Sequence, residues 1–219
     1  MTGVMPDPTI LAATRRYLHG VAELILAGPQ YRRSGTIRLR VLPGGFGAIK
    51  EPDLRAMGDH LVVGDQRLPM TATTCAALGA AAGVEVGPPE GLYHDGSGVQ
   101  PDEPIEVDAG AAGYLAGCFS LGDAALRQLA PGEQPVLWPE HFDLGITLDE
   151  VNYGISPGDG YLNEPYAYVG PWKPRSGEFW NAPFGAARPL RDFPDAGALG
   201  AFFAEGRAQA SSMGGLTSS

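Results

Sequence analysis

From His141 to Val169 the chain alternates apolar and polar residues in three runs separated by turn residues. Phe142, Leu144, Ile146 and Leu148 interleave with His141, Asp143, Gly145, Thr147 and Asp149. Val151, Tyr153 and Ile155 then oppose Glu150, Asn152 and Ser156. After Ser156-Pro157-Gly158-Asp159-Gly160, Glu164, Tyr166 and Tyr168 oppose Pro165, Ala167 and Val169. A period of two belongs to strands with one dry and one wet face. Runs this close in sequence pair as an antiparallel meander. Its wet face would carry His141, Asp143, Thr147, Asp149, Glu150, Asn152, Glu164, Tyr166 and Tyr168.

Helices frame this segment. Asp7-Pro8 offers an N-cap acceptor followed by a proline that needs no N–H. Ile10, Leu11, Thr14, Tyr17, Leu18, Val21, Leu24 and Ile25 recur at helical spacing, and Gly28-Pro29 should stop the run. Arg15, Arg16, His19 and Glu23 form its wet side, with His19 and Glu23 one turn apart as a surface pair. Ile37, Leu39 and Val41 alternate with Arg38 and Arg40 as a strand; Gly44-Gly45 turns it into a hairpin, and His60 to Val63 is a further short strand. Thr71 to Ala82 reads as an alanine-rich helix, and residues 84–107 as a long loop containing His94 beside Asp95. Asp108 caps a helix whose buried stripe is Leu115, Cys118, Phe119, Gly122, Leu126 and Leu129.

The expected fold is therefore α+β: antiparallel sheet with flanking helices near 8–27, 71–82, 108–130 and 195–208. The order is N-terminal helix, β-hairpin, C-terminal three-strand meander and final helix. Residues 1–207 form the domain, dividing if at all into 1–107 and 108–207. Residues 208–219 read as a small, polar, flexible tail. Gly 32 and Pro 20 in 219 residues disfavour a long helical bundle.

Charge narrows the partners. Residues 1–67 hold nine Lys or Arg against six Asp or Glu, whereas 68–172 hold Arg127 alone against fifteen acids. An acidic body lacks the basic face that a nucleic-acid phosphate backbone requires. Arg38 and Arg40 are expected to neutralise part of the acidic cluster. Cys75 and Cys118 have no metal-ligand spacing and read as buried thiols. No basic n-region precedes an apolar run, and Glu23 interrupts the longest early one. The expectation is a soluble, cytoplasmic protein with no membrane span.

Chemistry should be sought between Trp138 and Phe184, which hold ten of the nineteen aromatics, all three tryptophans and seven acids, six of them before Lys173, the first Lys or Arg of the stretch. His141 and Asp143, placed on one strand face, could ligate a metal or form an oriented base. Glu150 and Glu164 are further catalytic candidates, and Asp149 with Glu164 could serve as a glycosidase acid pair. Trp138, His141, Asp143, Asn152, Glu164, Tyr166, Tyr168, Trp172 and Trp180 are the ligand-binding candidates. The nucleophile elbow, the phosphate-binding loop and the zinc helix are all missing, and Gly44 to Gly47 is a hairpin. No cofactor is singled out.

With these elements placed, residues 135–207 resemble an uncharacterised bacterial family of actinobacterial type. The resemblance rests on Phe142-Asp143-Leu144, Ser156-Pro157-Gly158-Asp159, Glu164-Pro165-Tyr166-Ala167-Tyr168 and the helical pair Phe202-Phe203, in that order. It implies the strand, turn and closing helix, and brings no activity with it. The first helix, the Arg38 hairpin and the helix at Thr71 are similar in pattern to sterol-carrier-like modules.

Three function classes follow. A small-molecule-binding protein predicts a concave, aromatic and acidic cavity. A metal-assisted or hydrolytic enzyme further predicts His141 and Asp143 within bonding distance. A structural or interaction module predicts packed aromatics and no cavity.

Overall fold

The computed structural model describes residues 4–93 and 96–211, so His94 and Asp95 lie outside the described residues. Asp7 caps helix α1 (Pro8–Gly20), its carboxylate accepting the Thr9 and Ile10 amides at 2.9 and 3.3 Å. The helix does not stop at Gly28-Pro29. It widens to a π-helix over Val21–Ala27 and resumes as α2 (Gly28–Ser34), closing at Gly35 with φ 71°. The widening explains the tolerated proline. Gly28 N–H bonds to the Glu23 carbonyl, five residues back. Pro29 has no N–H for the next acceptor, Leu24, whose carbonyl instead accepts the Gly87 amide at 3.0 Å.

A first meander follows: β1 (Leu39–Leu42), β2 (Gly45–Ala48), β3 (Leu54–Met57), β4 (His60–Val63) and β5 (Gln66–Pro69). Then β6 (Thr71–Thr74) leads into α3 (Cys75–Ala82) and pairs with β7 (Pro104–Glu106) as a separate two-stranded sheet. The helix read from Thr71 thus begins only at Cys75, where the Thr74 hydroxyl accepts the Ala77 amide at 3.0 Å. Helix α4 (Ala109–Leu129), capped by Asp108, carries the chain to the second meander. That meander is β8 (Val136–Trp138), β9 (Asp143–Leu148), β10 (Val151–Ser156), β11 (Tyr166–Pro171) and β12 (Ala186–Pro189). Helix α5 (Ala196–Ser211) follows, so residues 208–211 are helical rather than tail; 212–219 lie outside the described residues.

The meanders join edge to edge where Leu39 pairs with Leu137, giving one antiparallel sheet of ten strands ordered β12-β11-β10-β9-β8-β1-β2-β3-β4-β5. The fold is α+β. The π segment packs on β1 to β3, α4 on β9 and β10, and α5 on β10 and β11. Leu144, Tyr153, Ile155, Ala167 and Val169 are buried in this core, together with Phe202 and Phe203 of α5. Helix α4 comes close because Gly122 has no side chain; a Cβ there would lie 2.3 Å from Ile155 Cγ1. Cys75 and Cys118 are buried thiols, and burial pushes both up to about 12. Among the described residues no helix is long and apolar enough to cross a membrane.

Two expectations about charge fail. Glu23 is 5% exposed, not on a wet face, and His19 is half-buried. Arg38 and Arg40 are exposed and, among the described residues, form no ion pair; the Arg38 guanidinium lies 5.6 Å from the Trp138 ring centre.

Candidate functional site

The sheet registers decide which polar side chains meet. Gly145, Gly154 and Tyr168 lie side by side across β9, β10 and β11, as do Thr147, Asn152 and Gly170. Because paired residues share a face, Asp143, Thr147, Asn152, Tyr166 and Tyr168 stand on the side away from α4 and α5. Five of the nine residues read for the wet face are therefore together. Asp149 and Glu150 are not. They form the two-residue turn of the β9–β10 hairpin, both with positive φ (52° and 61°), and point outward to Arg207 and Lys173. Glu164 precedes β11 and pairs with Arg191.

His141 also leaves the strand. The alternation was read from His141, but β9 starts at Asp143, and Phe142 has φ 55°. This left-handed residue turns the Phe142 ring into the core, where it meets Phe46 and Phe119 edge-on at 5.3 and 5.4 Å. His141 is consequently 68% exposed on a turn, 3.8 Å from Glu140, and no hydrogen bond joins it to Asp143. Among the described residues no group of three or more His, Cys, Asp or Glu is placed to hold a metal ion.

A cavity of about 1000 Å³ opens at this end of the sheet. Its floor is Asp143, Tyr168 and Tyr166; Trp172, Asn152 and Gly170 line one end, and His141 and Glu140 the rim. The opposite wall comes from α1, through Arg15, Arg16 and His19. Trp138, Trp180 and Glu164 do not reach it. Trp138 faces Arg38, and Trp180 packs edge-on against Phe179 at 4.9 Å beside α5. Sequence reasoning missed Arg15, Arg16, His19, Asp159, Tyr161 and Phe184. Helical spacing placed the first three on a polar helix side without saying what that side faces.

Each floor tyrosine donates to a carboxylate. Tyr168 bonds to Asp143 Oδ2, its ring laid across Gly154 and Gly145. Tyr166 bonds to Asp159 Oδ2 at 2.6 Å. Asp159 in turn accepts the Tyr161 and Leu162 amides at 2.8 and 3.2 Å, fixing the loop after β10. Tyr161, Phe184 and Tyr166 follow one another as a continuous aromatic wall, with ring centres 5.0 Å apart for the first pair and 6.3 Å for the second. Trp172, 64% exposed, donates to Asn152 Oδ1 at 3.3 Å across the mouth.

Burial raises the Asp143 carboxyl above the usual range, against the Tyr168 hydrogen bond and the nearby His141, which lower it. Burial and the Asp143 charge push Tyr168 well above its ordinary value, so it remains a donor. Burial likewise lowers His19, whose ring stacks on Phe142 at 5.5 Å. His19 Nε2 lies 2.7 Å from the Pro139 carbonyl, which can only accept, so Nε2 carries the proton.

The cations on the α1 wall are already engaged. Arg16 is clamped by Glu103, with Nη2 to Oε2 at 2.9 Å. Arg15 donates to Asn163 Oδ1 at 3.0 Å and reaches the Pro157 carbonyl at 3.5 Å. One turn further, Glu23 in the π segment accepts the Ser97 amide and hydroxyl at 2.9 and 2.7 Å, tying the long loop to the helix behind the cavity. Ser156, the serine of the lining, is occupied by the Gly158 amide at 3.1 Å. The arrangement is a walled, acidic-floored receptacle.

No family model, curated protein or solved structure matches this chain.

Proposed function

We propose that the protein binds a small organic cation, its flat or apolar part against Tyr161, Tyr166 and Phe184 and its charged nitrogen on Asp143. The observation that carries this reading is the floor: a half-buried carboxylate that accepts from Tyr168 and, among the described residues, has no ion pair with a Lys or Arg, at the base of an aromatic-walled cavity. A volume of about 1000 Å³ suits a small molecule. A buried carboxylate without a counter-charge is costly to keep, and a protonated amine offsets that cost while the aromatic faces favour it.

The test is a panel of aromatic and aliphatic amines, each beside its neutral alcohol and its carboxylate analogue, read by ligand-detected NMR. Amines should bind, and Asp143→Asn should weaken them about 10- to 100-fold, the scale of a lost charge-assisted bond. Equal binding of amine and alcohol by the native protein would defeat the reading. Amine binding should also fade as pH falls through the raised Asp143 value, because the protonated carboxyl carries no charge.

The same substitution should have the opposite effect on stability. A carboxyl raised on folding favours the fold while protonated. That contribution is complete below about pH 4 and is lost as pH rises through the folded value. At pH 7 Asp143→Asn, which still accepts from Tyr168, should therefore raise the melting point by a few °C. The gain should vanish in acid. A melting point lowered at pH 7 would show that the charge is already compensated in the free protein.

A further inference from the structure

A second, smaller cavity of about 200 Å³ lies where the tip of the β9–β10 hairpin meets the end of α5; Pro171 borders both cavities. Its lining brings Lys173, Arg175 and Arg207 together with Asp149 and Glu150. The two carboxylates are exposed at the rim, where Glu150 meets Lys173 at 3.0 Å and Asp149 meets Arg207 at 3.1 Å. Solvent-exposed pairs of this kind hold weakly. Inside, two buried donors have no partner among the described residues. The Tyr153 hydroxyl belongs to a fully buried ring set edge-on to Phe203, and Arg175 Nε is buried while its Nη2 donates to the Ala210 carbonyl at 3.0 Å. Buried polar groups in native chains are nearly all hydrogen-bonded, so two orphans beside one cavity require an acceptor.

We infer that this cavity binds a tetrahedral oxyanion of the phosphate class. Arg175 and the Tyr153 hydroxyl hold its oxygens, and Lys173 and Arg207 close over it from the rim. Both orphans are donors, three cations face two carboxylates, and a guanidinium fork matches an oxyanion's oxygens. The size agrees. At about 30 Å³ per water in liquid, the space suits one such ion with a few waters rather than a large ligand. The end of α5 would repel an anion through its free carbonyls. Those of Arg207 and Ala210 are already taken, by the Ser211 hydroxyl at 2.9 Å and by Arg175.

The test uses the full chain with inorganic phosphate against chloride at equal ionic strength, followed by thermal shift and by phosphorus NMR line width. Phosphate at millimolar concentration should raise the melting point and broaden the phosphate line; chloride should do neither. Tyr153→Phe should weaken binding about tenfold, and Arg175→Gln should abolish it. Lys173→Gln sits on an exposed side chain that does not endanger folding, and should weaken phosphate several-fold. If phosphate acts no differently from chloride, water alone occupies the cavity and the inference is overturned. An undiminished response in both Arg175→Gln and Lys173→Gln would overturn it as well, assigning the effect to general surface charge.

Discussion

Phe142→Ala should destabilise the chain by about 3–5 kcal/mol, a fall of roughly 6–20 °C in melting point for a chain this long. The ring is 1% exposed and touches Phe46, Phe119 and His19, so its deletion empties the contact between β2, α4 and α1. The backbone adds a sharper expectation. At φ 55° Phe142 holds a conformation that costs a non-glycine residue about 1–2 kcal/mol, sustained here by the packing of the ring. Alanine keeps that strain and loses the ring, whereas glycine loses the ring and releases the strain. Phe142→Gly should therefore be at least as stable as Phe142→Ala, the reverse of the usual order. Urea unfolding of the two variants decides it: a glycine variant weaker by more than about 0.5 kcal/mol would mean that the turn is not strained. In both variants His19 loses the surface it stacks on, and the α1 wall of the large cavity should loosen with it.

Phe142 also shows why the site was only partly legible in the sequence. In a period-two reading it is one more dry residue, because a left-handed φ leaves no mark in the hydrophobic pattern; Gly or Asn would have left one. Reading the strand through it put His141 and Asp143 on one face, and a single backbone angle separates them. Longer alternations survived. The six residues of β9 and the six of β10 offer enough repeats to fix a register, and Asp143, Asn152, Tyr166 and Tyr168 meet as expected. Strands of three or four residues offer at most two repeats, and although β1 and β4 were read, β3, β5, β8 and β12 went unread.

The helices follow the same logic. Capping residues made the start of α1 and the whole of α4 readable, since Asp7 and Asp108 act locally. The far end of the first helix was misread because Gly28-Pro29 is a stop signal only in an α pattern. The rescue of the Leu24 carbonyl by Gly87 arrives from a loop some sixty positions away. Distance hid the cavity wall as well. Arg15 and His19 face Asn163 and Pro139, contacts separated by 148 and 120 positions, and α1 is held near these segments by packing on α4, which lies on β9 and β10.

Gly154→Ala should remove the floor of the cavity while leaving every named polar group in the sequence. Gly154 faces Gly145 on one side and Tyr168 on the other, and the Tyr168 phenol lies over it. A Cβ at this position would sit 2.4 Å from the Tyr168 hydroxyl oxygen and 2.5 Å from the Leu144 carbonyl oxygen. The side chain can swing away; the carbonyl belongs to β9 and can only shift with its strand. Overpacking of this kind costs about 1–3 kcal/mol. Ejecting Tyr168 strips Asp143 of its hydrogen-bond donor, so amine binding should fall at least as far as in Tyr168→Phe, which deletes the hydroxyl but keeps the ring. A double-mutant cycle separates the two contacts. Placed in a Tyr168→Ala background, Gly154→Ala meets only the Leu144 carbonyl and should cost less than in the native chain. An equal cost in both backgrounds would show that the phenol does not rest on Gly154, and that Asp143 is held at the cavity floor by something other than Tyr168.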